Sequence, residues 1–259
     1  MRFLSIDVGI KNLAYCLFDN NFSIIQWEVC NLCEDDWVCI RCGKKAKYTK
    51  KGVCYCKRHA KKEPFSIPNH TFSELKKMKL ADLRKMYPEH QRAKKRDLLV
   101  HIENDLSNNF FDMVQKKNGS NVDLVYVGKN LCEKLSKVGN VDYVLIENQI
   151  GPLANRMKTL QGMIMQYFII NGCENIRHIS PLNKLSNFCE DKNTYKERKK
   201  LGIDITKKIL LANNLFISWF DFFNKNKKKD DLADSFLQGI SFFIKKKWID
   251  IDNYLLRLT

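Results

Sequence analysis

An aspartate inside the first apolar strand is the feature that most constrains this chain. Residues 2–8 alternate in polarity and carry β-branched side chains, as a half-buried strand does, and Gly9 ends the pattern. Asp7 therefore lies among side chains that a core has to bury, where an unpaired carboxylate is costly. A residue placed at such a cost indicates a functional role for the acid.

Four further segments predict the rest of a sheet. Residues 13–18 and 23–29 extend the first strand into an antiparallel meander, and residues 175–180 form a strand that ends before Pro181. Residues 141–146 are a continuous apolar run, which is typical of a central buried strand, and Glu147 follows directly. Amphipathic patterns predict helices at residues 122–138, 155–171, 195–213, 216–223 and 230–247. The chain begins with three strands, and its later strands alternate with helices. This order predicts a mixed α/β sheet.

Charge and composition limit the classes of partner. The chain has 45 Lys and Arg against 29 Asp and Glu, a net charge of +16, which favours a polyanion and nucleic acid first. Hydrophobic residues make up 44% of the chain, enough for a sizeable core, so a wholly disordered chain is excluded. No run approaches the roughly 18 to 20 apolar residues of a membrane span, and the first residues do not form a signal peptide. We expect an intracellular protein without a membrane partner.

Residues 30–63 predict an inserted zinc-knuckle module. Six of the ten cysteines lie between residues 30 and 56, and residues 41–62 contain ten Lys and Arg but no acid. Two pairs have the number and spacing of structural zinc ligands, Cys39 with Cys42 and Cys56 with His59. Cys54 is an alternative to Cys56, and Cys30 with Cys33 forms a further knuckle that has no evident second pair. A short charged segment has little core, so a structural Zn²⁺ would supply much of its folding energy.

Residues 64–121 predict a second insert. Residues 72–106 contain two helical patterns with a hinge at 87–91, and residues 107–121 have the composition of a boundary. The helical patterns are similar to a SAP motif, a helix-hinge-helix found in DNA-binding proteins, and a plain amphipathic helical pair is the alternative. Its candidate phosphate contacts are basic residues: Lys76, Lys77, Lys79, Arg84, Lys94, Lys95 and Arg96.

Four carboxylates form a candidate metal site. Asp231 and Asp234 are three residues apart on the last predicted helix, so they share one face. If the first and fourth strands are neighbours, this pair converges with Asp7 and Glu147. Clustered carboxylates repel one another unless cations neutralise them, and oxygen ligands suit Mg²⁺ or Mn²⁺. Two such ions support phosphodiester cleavage, so the residues alone predict a metal nuclease. Asp230 is an alternative to Asp231.

The same positions resemble a known family. Residues 5–14, 146–149 and 230–235 resemble the three motif blocks of RuvC-type Holliday junction resolvases. The similarity is greatest to the branch of fungal mitochondrial resolvases and those of poxviruses and other large DNA viruses, which residues 155–162 and 195–200 also resemble. The resemblance implies a ribonuclease H-like five-stranded mixed sheet at residues 1–29 and 122–259. Its catalytic, metal-binding acids would be Asp7, Glu147, Asp231 and Asp234.

The resemblance also implies an activity and partners. The protein would be a homodimer that resolves four-way DNA junctions by paired, metal-dependent hydrolysis, with two Mg²⁺ or Mn²⁺ ions per active site. It would act in the host cytoplasm where viral DNA replicates, or alternatively in mitochondria. The remaining alternatives are a nuclease of the same fold acting on other branched DNA or on RNA·DNA hybrids, and a noncatalytic DNA-binding scaffold. Candidate DNA contacts are Lys11, Asn12, Gln149, Arg156, Lys158, Arg198, Lys199, Lys200 and Lys229.

Overall fold

The computed structural model of this chain consists of two compact units. It describes residues 1–33, 37–114, 119–151, 154–186, 188 and 194–249. Residues 1–33 with 117–259 form the sheet unit, and residues 34–116 form the inserted unit. Within the described ranges, no helix has the length and apolar character needed to cross a membrane.

The described residues contain eight strands and nine α-helices. The strands are β1 (Phe3–Asp7), β2 (Leu13–Phe18), β3 (Ile24–Cys30), β4 (Tyr48–Lys50), β5 (Val53–Tyr55), β6 (Asp112–Met113), β7 (Tyr143–Glu147) and β8 (Asn175–Ile179). The helices are α1 (Lys57–Ala60), α2 (Phe72–Lys77), α3 (Leu80–Met86), α4 (Lys95–Asn109), α5 (Leu124–Ser136), α6 (Asn155–Ile170), α7 (Tyr195–Ala212), α8 (Phe220–Lys225) and α9 (Lys229–Lys245). Single 3₁₀ turns occupy Pro88–His90, Pro181–Lys184 and Ile217–Trp219.

The sheet unit contains the mixed five-stranded sheet that the sequence predicts. Its strand order is β3-β2-β1-β7-β8, so β1 is central and neighbours β7. β1, β2 and β3 pair antiparallel, whereas β7 pairs parallel with both β1 and β8. The register places Ile6 opposite Ile146, so the acids that follow, Asp7 and Glu147, stand at the same edge of the sheet. The predicted fold class and the predicted neighbourhood of the first and fourth strands are confirmed.

Helices cover both faces of this sheet. Leu4 and Ile6 of β1 belong to one apolar cluster, together with buried residues of α5 and α6 such as Leu131 and Ile164. Phe3 belongs to the cluster on the other face, which includes the buried side of α9. Because side chains alternate along a strand, Asp7 projects to the same face as Phe3. Asp7 therefore lies on the face of the sheet that α9 covers.

Helix α9 packs closely on the sheet. A Cβ atom at Gly239 would lie 2.6 Å from the ring of Phe18, so this helix position has no room for a larger residue. Gln238 is fully buried, and its amide donates to Ser5 Oγ at 3.1 Å, to the Ile6 carbonyl at 3.2 Å and to the Leu145 carbonyl at 3.3 Å. These hydrogen bonds fix the position of α9 along β1 and β7 because an unsatisfied buried amide is costly. Asp234 lies one turn before Gln238 on the same helix.

Most predicted helices of the sheet unit form within a few residues of their predicted limits. The exception is residues 216–223, where the structure has the turn Ile217–Trp219 followed by α8. Its aromatic residues pack around the core residue Trp27, whose ring stacks on Phe223 at 5.2 Å between centroids. Contacts with the Trp27 indole, and not a regular helical period, determine the backbone of this segment. Phe216 and Phe223 are buried in the same apolar cluster as Trp27.

The inserted unit combines a small sheet and a helical group. β4 pairs with β5 and β6 in the order β5-β4-β6, and Tyr48, Ala60 and Phe111 are buried beside it. Leu83 and Ile102 belong to a second buried cluster, formed by α2, α3 and α4.

Two segments of this unit differ from their predictions. The first predicted helical pattern divides into α2 and α3, because Met78 has an extended backbone. Residues 107–113 do not form a linker, since they complete α4 and form β6, which pairs with β4. The boundary at residue 63 stays a prediction, and both sides of it belong to this one unit.

Candidate active site and metal centre

Four acids converge at one edge of the large sheet. Asp7 and Glu147 are the last residues of the adjacent parallel strands β1 and β7. Asp231 and Asp234 stand in the first two turns of α9, the helix that packs over this face. The turn after β8 contributes Lys184, which is 6% exposed. The structure therefore brings together all four acids named by the sequence, with a lysine that the sequence analysis did not name.

Lys184 lies between three of the acids. Its Nζ is 2.7 Å from Asp7 Oδ1, 2.8 Å from Glu147 Oε1 and 3.3 Å from Asp234 Oδ2. Ser241 of α9 donates a hydrogen bond to the Lys184 carbonyl at 2.9 Å, which holds the turn against the helix. A buried lysine needs such partners, because an ammonium group removed from water without them is costly. The signal available in the sequence was the position of Lys184, directly after the strand that neighbours β7.

Burial and mutual repulsion determine the protonation of the cluster. Burial raises the pKa of Asp7 to about 6, with Lys184 opposing the rise and Glu147 adding to it. Burial likewise raises the pKa of Asp231 to about 6, and the charges of Asp230 and Asp7 add to that effect. The pKa of Asp234 is also raised, chiefly by burial. Burial alone would lower the pKa of Lys184, but the charges of Asp7, Asp234 and Glu147 raise it above its ordinary value.

The donor set fits divalent cations. Asp231 Oδ2 is buried and accepts no hydrogen bond, and Lys228 Nζ forms a long ion pair with it at 3.8 Å. A buried carboxylate oxygen without a hydrogen bond is available to a further positive partner. Carboxylate oxygens are the ligands that Mg²⁺ and Mn²⁺ prefer. Asp7 and Asp231 line the same cleft.

Asp230 is paired with a lysine of α7. Its Oδ2 accepts a hydrogen bond from Lys199 Nζ at 2.6 Å. Burial would raise the pKa of Asp230, but this bond and the charge of Lys199 hold it below its ordinary value. Of the two neighbouring acids, it is Asp231 that faces Asp7.

Polar residues beside the acids have distinct positions. Lys11 and Asn12 line the cleft with Asp7. A Cβ at Gly9 would lie 2.6 Å from the Asn12 carbonyl oxygen, so the tight turn that places Asn12 here requires glycine. Gln149 donates from Nε2 to Glu147 Oε2 at 2.8 Å and therefore orients this acid.

Gln149 is itself held by α6. Its backbone N–H donates to Gln161 Oε1 at 2.9 Å, and Gln161 is buried. The Gln161 amide nitrogen lies 3.0 Å from His178 Nδ1 on β8. This network connects β8 and α6 to the loop after Glu147. Gln149 and Gln161 lie in segments that carry the family resemblance, whereas no sequence pattern distinguished His178.

The remaining candidate DNA contacts differ in exposure. Arg156 donates from its guanidinium to the Val122 carbonyl, so this side chain joins α6 to the start of α5. Lys199 is paired with Asp230, and Lys229 is half-buried. Three others, Lys158, Arg198 and Lys200, are exposed. Lys192 of the basic run at 192–200, like Cys189, lies outside the described residues.

A second cluster lies in the inserted unit. The ligand atoms of Cys39, Cys42, Cys56 and His59 all lie within 4.8 Å of one another. Cys39 Sγ is 3.3 Å from His59 Nδ1, and Cys42 Sγ is 3.9 Å from Cys56 Sγ. Three sulfurs and one imidazole nitrogen at this separation fit a tetrahedral zinc ion.

The protonation of Cys39 agrees with that donor set. Burial opposes ionisation of this thiol, but hydrogen bonds from the Cys56 backbone and from His59 lower the pKa of Cys39 to about 6. The thiolate is the form that binds metal. A lowered pKa therefore favours the ligand state at neutral pH.

The other cysteine candidates lie elsewhere. Cys54 is buried in β5 and is not a member of the cluster, so the structure selects Cys56 of the two alternatives. Cys30 and Cys33 belong to the apolar core of the sheet unit. Burial raises the pKa of Cys30 to about 11, which disfavours the thiolate. The second knuckle proposed from spacing is thus part of a core.

Comparison with known proteins agrees with this geometry. The family model "Mitochondrial resolvase Ydc2 / RNA splicing MRS1" matches residues 3–161, and the model "Poxvirus A22 protein" matches residues 92–246. An uncharacterized protein, L451 of Acanthamoeba polyphaga mimivirus, is 29% identical over 92% of this chain and 74% of its own length.

Solved structures that are similar to this chain include two resolvases. The fowlpox virus Holliday junction resolvase is 16% identical, with a TM-score of 0.47, over 95% of this chain and 99% of the other. The yeast mitochondrial Holliday junction resolvase Ydc2 is 15% identical, with a TM-score of 0.39, over 95% of this chain and 86% of the other. Each of the two family models covers more than half of the sequence. The chain therefore belongs to the family of mitochondrial and poxvirus resolvases.

Proposed function

We propose that this protein is a structure-selective endonuclease that resolves four-way DNA junctions by paired phosphodiester hydrolysis. The observation that carries the proposal is the convergence of Asp7, Glu147, Asp231 and Asp234 at one sheet edge, in a chain of the resolvase family. The net charge of +16 supports a polyanionic substrate around that acidic centre. Fowlpox virus resolvase has been crystallised with Holliday junction DNA, which supports the same substrate class.

The four carboxylates would hold divalent cations. Mg²⁺ or Mn²⁺ bound there would activate the attacking water and stabilise the leaving oxygen. Asp231 supports this assignment, because its buried Oδ2 has no hydrogen-bond partner. We propose two ions per active site, held by Asp7, Glu147, Asp231 and Asp234.

Protein groups of the site would position the substrate. Lys184 keeps its proton on Nζ, since the surrounding acids raise its pKa, and so supplies a fixed positive charge for the scissile phosphate. Gln149 holds Glu147 Oε2 in one orientation. Lys11 and Asn12 line the cleft next to Asp7, where they would bind the neighbouring phosphate and place the scissile bond in line.

The assembly and location follow from the reaction. Two symmetric nicks need two active sites related by a twofold axis, so we propose a homodimer. Zn²⁺ at Cys39, Cys42, Cys56 and His59 would be structural, since four protein ligands leave no open position. We propose that the protein acts in the host cytoplasm where viral DNA replicates; the mitochondrial relatives support the other intracellular location that the sequence allows.

A second candidate is RNA binding without cleavage. The family model also describes an RNA splicing protein, which supports structured RNA as a ligand. The complete set of acids argues for the nuclease, because a binding protein has no need to gather three carboxylates around a buried lysine.

The test is cleavage of labelled substrates by the purified full chain. Four-way junction, fork, duplex, RNA·DNA hybrid and structured RNA are compared with Mg²⁺, with Mn²⁺ and without divalent metal. Asp7→Asn and Glu147→Gln test the site, and Asp221→Asn is the matched control because its side chain is 79% exposed.

We expect paired symmetric nicks in the junction with either metal, lost in both site variants and kept in the control. Preferential cleavage of the hybrid would make the protein a ribonuclease. Tight binding of any substrate without cleavage would refute the nuclease proposal, and preference for RNA would then favour the second candidate.

A further inference from the structure

The inserted unit carries a basic surface next to its metal-ligand cluster. Lys44 follows Cys42 by two residues, and Lys57 and Arg58 stand between the ligands Cys56 and His59. All three basic side chains are exposed. Residues 37–62 contain no Asp or Glu, so the segment itself offers no acid to neutralise them. A local excess of positive charge of this size favours binding of phosphates.

Apolar side chains are exposed in the same segment. Val38 is 52% exposed and Ile40 is 71% exposed, and these two residues flank the ligand Cys39. Large aliphatic side chains usually lie in a core, so two of them beside one ligand indicate a contact surface. Trp37 precedes them and is 41% exposed.

The backbone holds this surface in place. Val38 forms a β-bridge with Lys45, and the Ile40 N–H donates to the Cys54 carbonyl at 3.0 Å. The Cys39 N–H donates to the Lys44 carbonyl at 2.8 Å, which closes the knuckle around Gly43, whose φ is +65°. The exposed side chains are therefore presented by a short, hydrogen-bonded ribbon whose buried residue is the ligand Cys39.

Charge complementarity indicates which class of molecule this surface binds. A protein partner would match the apolar residues, but it would have to supply acid for every exposed Lys and Arg around them. Nucleic acid supplies phosphates for the basic residues and base faces for the apolar ones. The centre of a four-way junction exposes base-pair faces where strands change partners, and apolar side chains can insert at such steps.

We propose that Val38, Ile40, Lys44, Lys57 and Arg58, termed the knuckle face, bind DNA at a site separate from the acidic centre. Lys44, Lys57 and Arg58 contact phosphates, whereas Val38 and Ile40 contact base faces. The choice of junction DNA as the ligand rests on the proposed function. Binding at the knuckle face itself does not require that the protein cleave DNA.

The test measures DNA affinity in an Asp7→Asn background, so that cleavage cannot interfere and the result does not depend on nuclease activity. The full chain is titrated against a fluorescein-labelled four-way junction and a duplex of the same arm sequence, in buffer without divalent metal or chelator. The first variant is K57Q/R58Q and the second is V38S/I40S. The matched control is K245Q/K246Q, which removes two exposed charges at the end of α9. Zinc content and thermal unfolding establish that each variant is folded.

We expect K57Q/R58Q to bind both DNAs about tenfold more weakly and to reduce the slope of log affinity against log salt by about 2. We expect V38S/I40S to lose about tenfold for the junction and less than about twofold for the duplex, because apolar side chains insert at unstacked base steps, which an intact duplex lacks. The control should stay within about twofold for both DNAs.

Affinities of the knuckle variants equal to the control would overturn the proposal. Equal losses of V38S/I40S on duplex and junction would overturn the assignment of Val38 and Ile40 to base faces. Wild-type cleavage is measured separately. The two proposals can therefore fail independently: the protein can cleave DNA while the knuckle face binds none, or bind DNA through the knuckle face without cleaving it.

Discussion

In the sheet unit, apolar side chains packed on both faces of five strands hold the acids in place. In the inserted unit, by contrast, the small sheet near the ligand cluster packs on a small group of buried side chains, Tyr48, Ala60 and Phe111. Asp7 and Glu147 occupy the ends of neighbouring strands, so their separation is fixed by a ladder of backbone hydrogen bonds. The cysteine and histidine ligands come from loops, a strand end and a single helical turn. The acidic site is therefore a product of the fold, whereas we expect metal binding at the inserted site to be a condition for folding.

The sharpest way to break this comparison is to remove zinc. Stripping the metal from the full chain, or replacing Cys42 by serine, should leave β4, β5 and α1 without the bond energy that orders them, which is on the order of 10 kcal/mol for structural zinc. Hydrogen exchange should then be fast in the inserted unit and unchanged in β1 and β7. Cys132→Ser is the matched control, because Cys132 is exposed on α5. Retained protection in the inserted unit would show that its small core suffices.

The next largest effect concerns the buried lysine. Lys184→Met leaves Asp7, Glu147 and Asp234 without their common counter-charge and should lower the free energy of unfolding of the metal-free protein by about 3–5 kcal/mol. Urea denaturation measures the change, and added Mg²⁺ should recover part of it by binding the native acids. Lys225→Met serves as the control, because that side chain is 83% exposed and its acid partner is 79% exposed. Equal stability of the two variants would contradict a cluster held by Lys184.

The pH dependence of the free energy of unfolding should reveal the buried Asp7 of the sheet unit. The pKa of Asp7 is about 6 in the fold against an ordinary value of 3.8, so the native state binds more protons between these values. The metal-free protein should lose stability as pH rises from about 4 to about 6, by roughly 3 kcal/mol from this group. Urea unfolding of wild type and Asp7→Asn at each pH isolates the effect, since titration of the zinc ligands is common to both. Parallel curves for the two proteins would contradict it.

The smallest effect tests how closely α9 must pack. Gly239→Ala would bring a Cβ atom to 2.6 Å from the Phe18 ring and should cost about 1–3 kcal/mol, with reduced cleavage because the Asp231 and Asp234 helix shifts. Gly202→Ala on α7 is the control, since its Cβ would meet Leu237 at an ordinary 3.8 Å. That control should keep or gain up to about 1 kcal/mol from better helix propensity. Thermal unfolding and cleavage rate measure both. Loss of stability in Gly202→Ala alone would contradict the packing argument.

Local sequence patterns predicted most of the strands and helices of the sheet unit. Period-two alternation located β1, β2 and β3, and the apolar run at residues 141–146 located β7, because these patterns depend on burial of neighbouring residues. The aromatic segment before α9 departed from its pattern, since contacts with Trp27 on a distant strand determine it. Tertiary contacts of this kind leave no local period in the sequence.

The site could be predicted only in part. The acids were recognisable because a carboxylate inside or at the end of an apolar strand is costly without a function. Lys184 and Gln238 were not, since each looks like an ordinary polar residue until its partners 57 and 232 residues away are known. The i, i+3 spacing favoured Asp231 over Asp230, and the structure adds that Asp230 is paired with Lys199, which lies 31 residues earlier.

The sequence by itself determined the strand that contains Asp7, the acid after the buried strand, the i, i+3 pair of α9 and the two knuckle pairs, because spacing and polarity act over a few residues. The tertiary structure decided which strands are neighbours, which cysteine completes the cluster, and that a lysine lies among the acids. These are choices among residues far apart in the chain. They are made by packing and by the electrostatic need of a buried carboxylate for a positive partner, which no local pattern records.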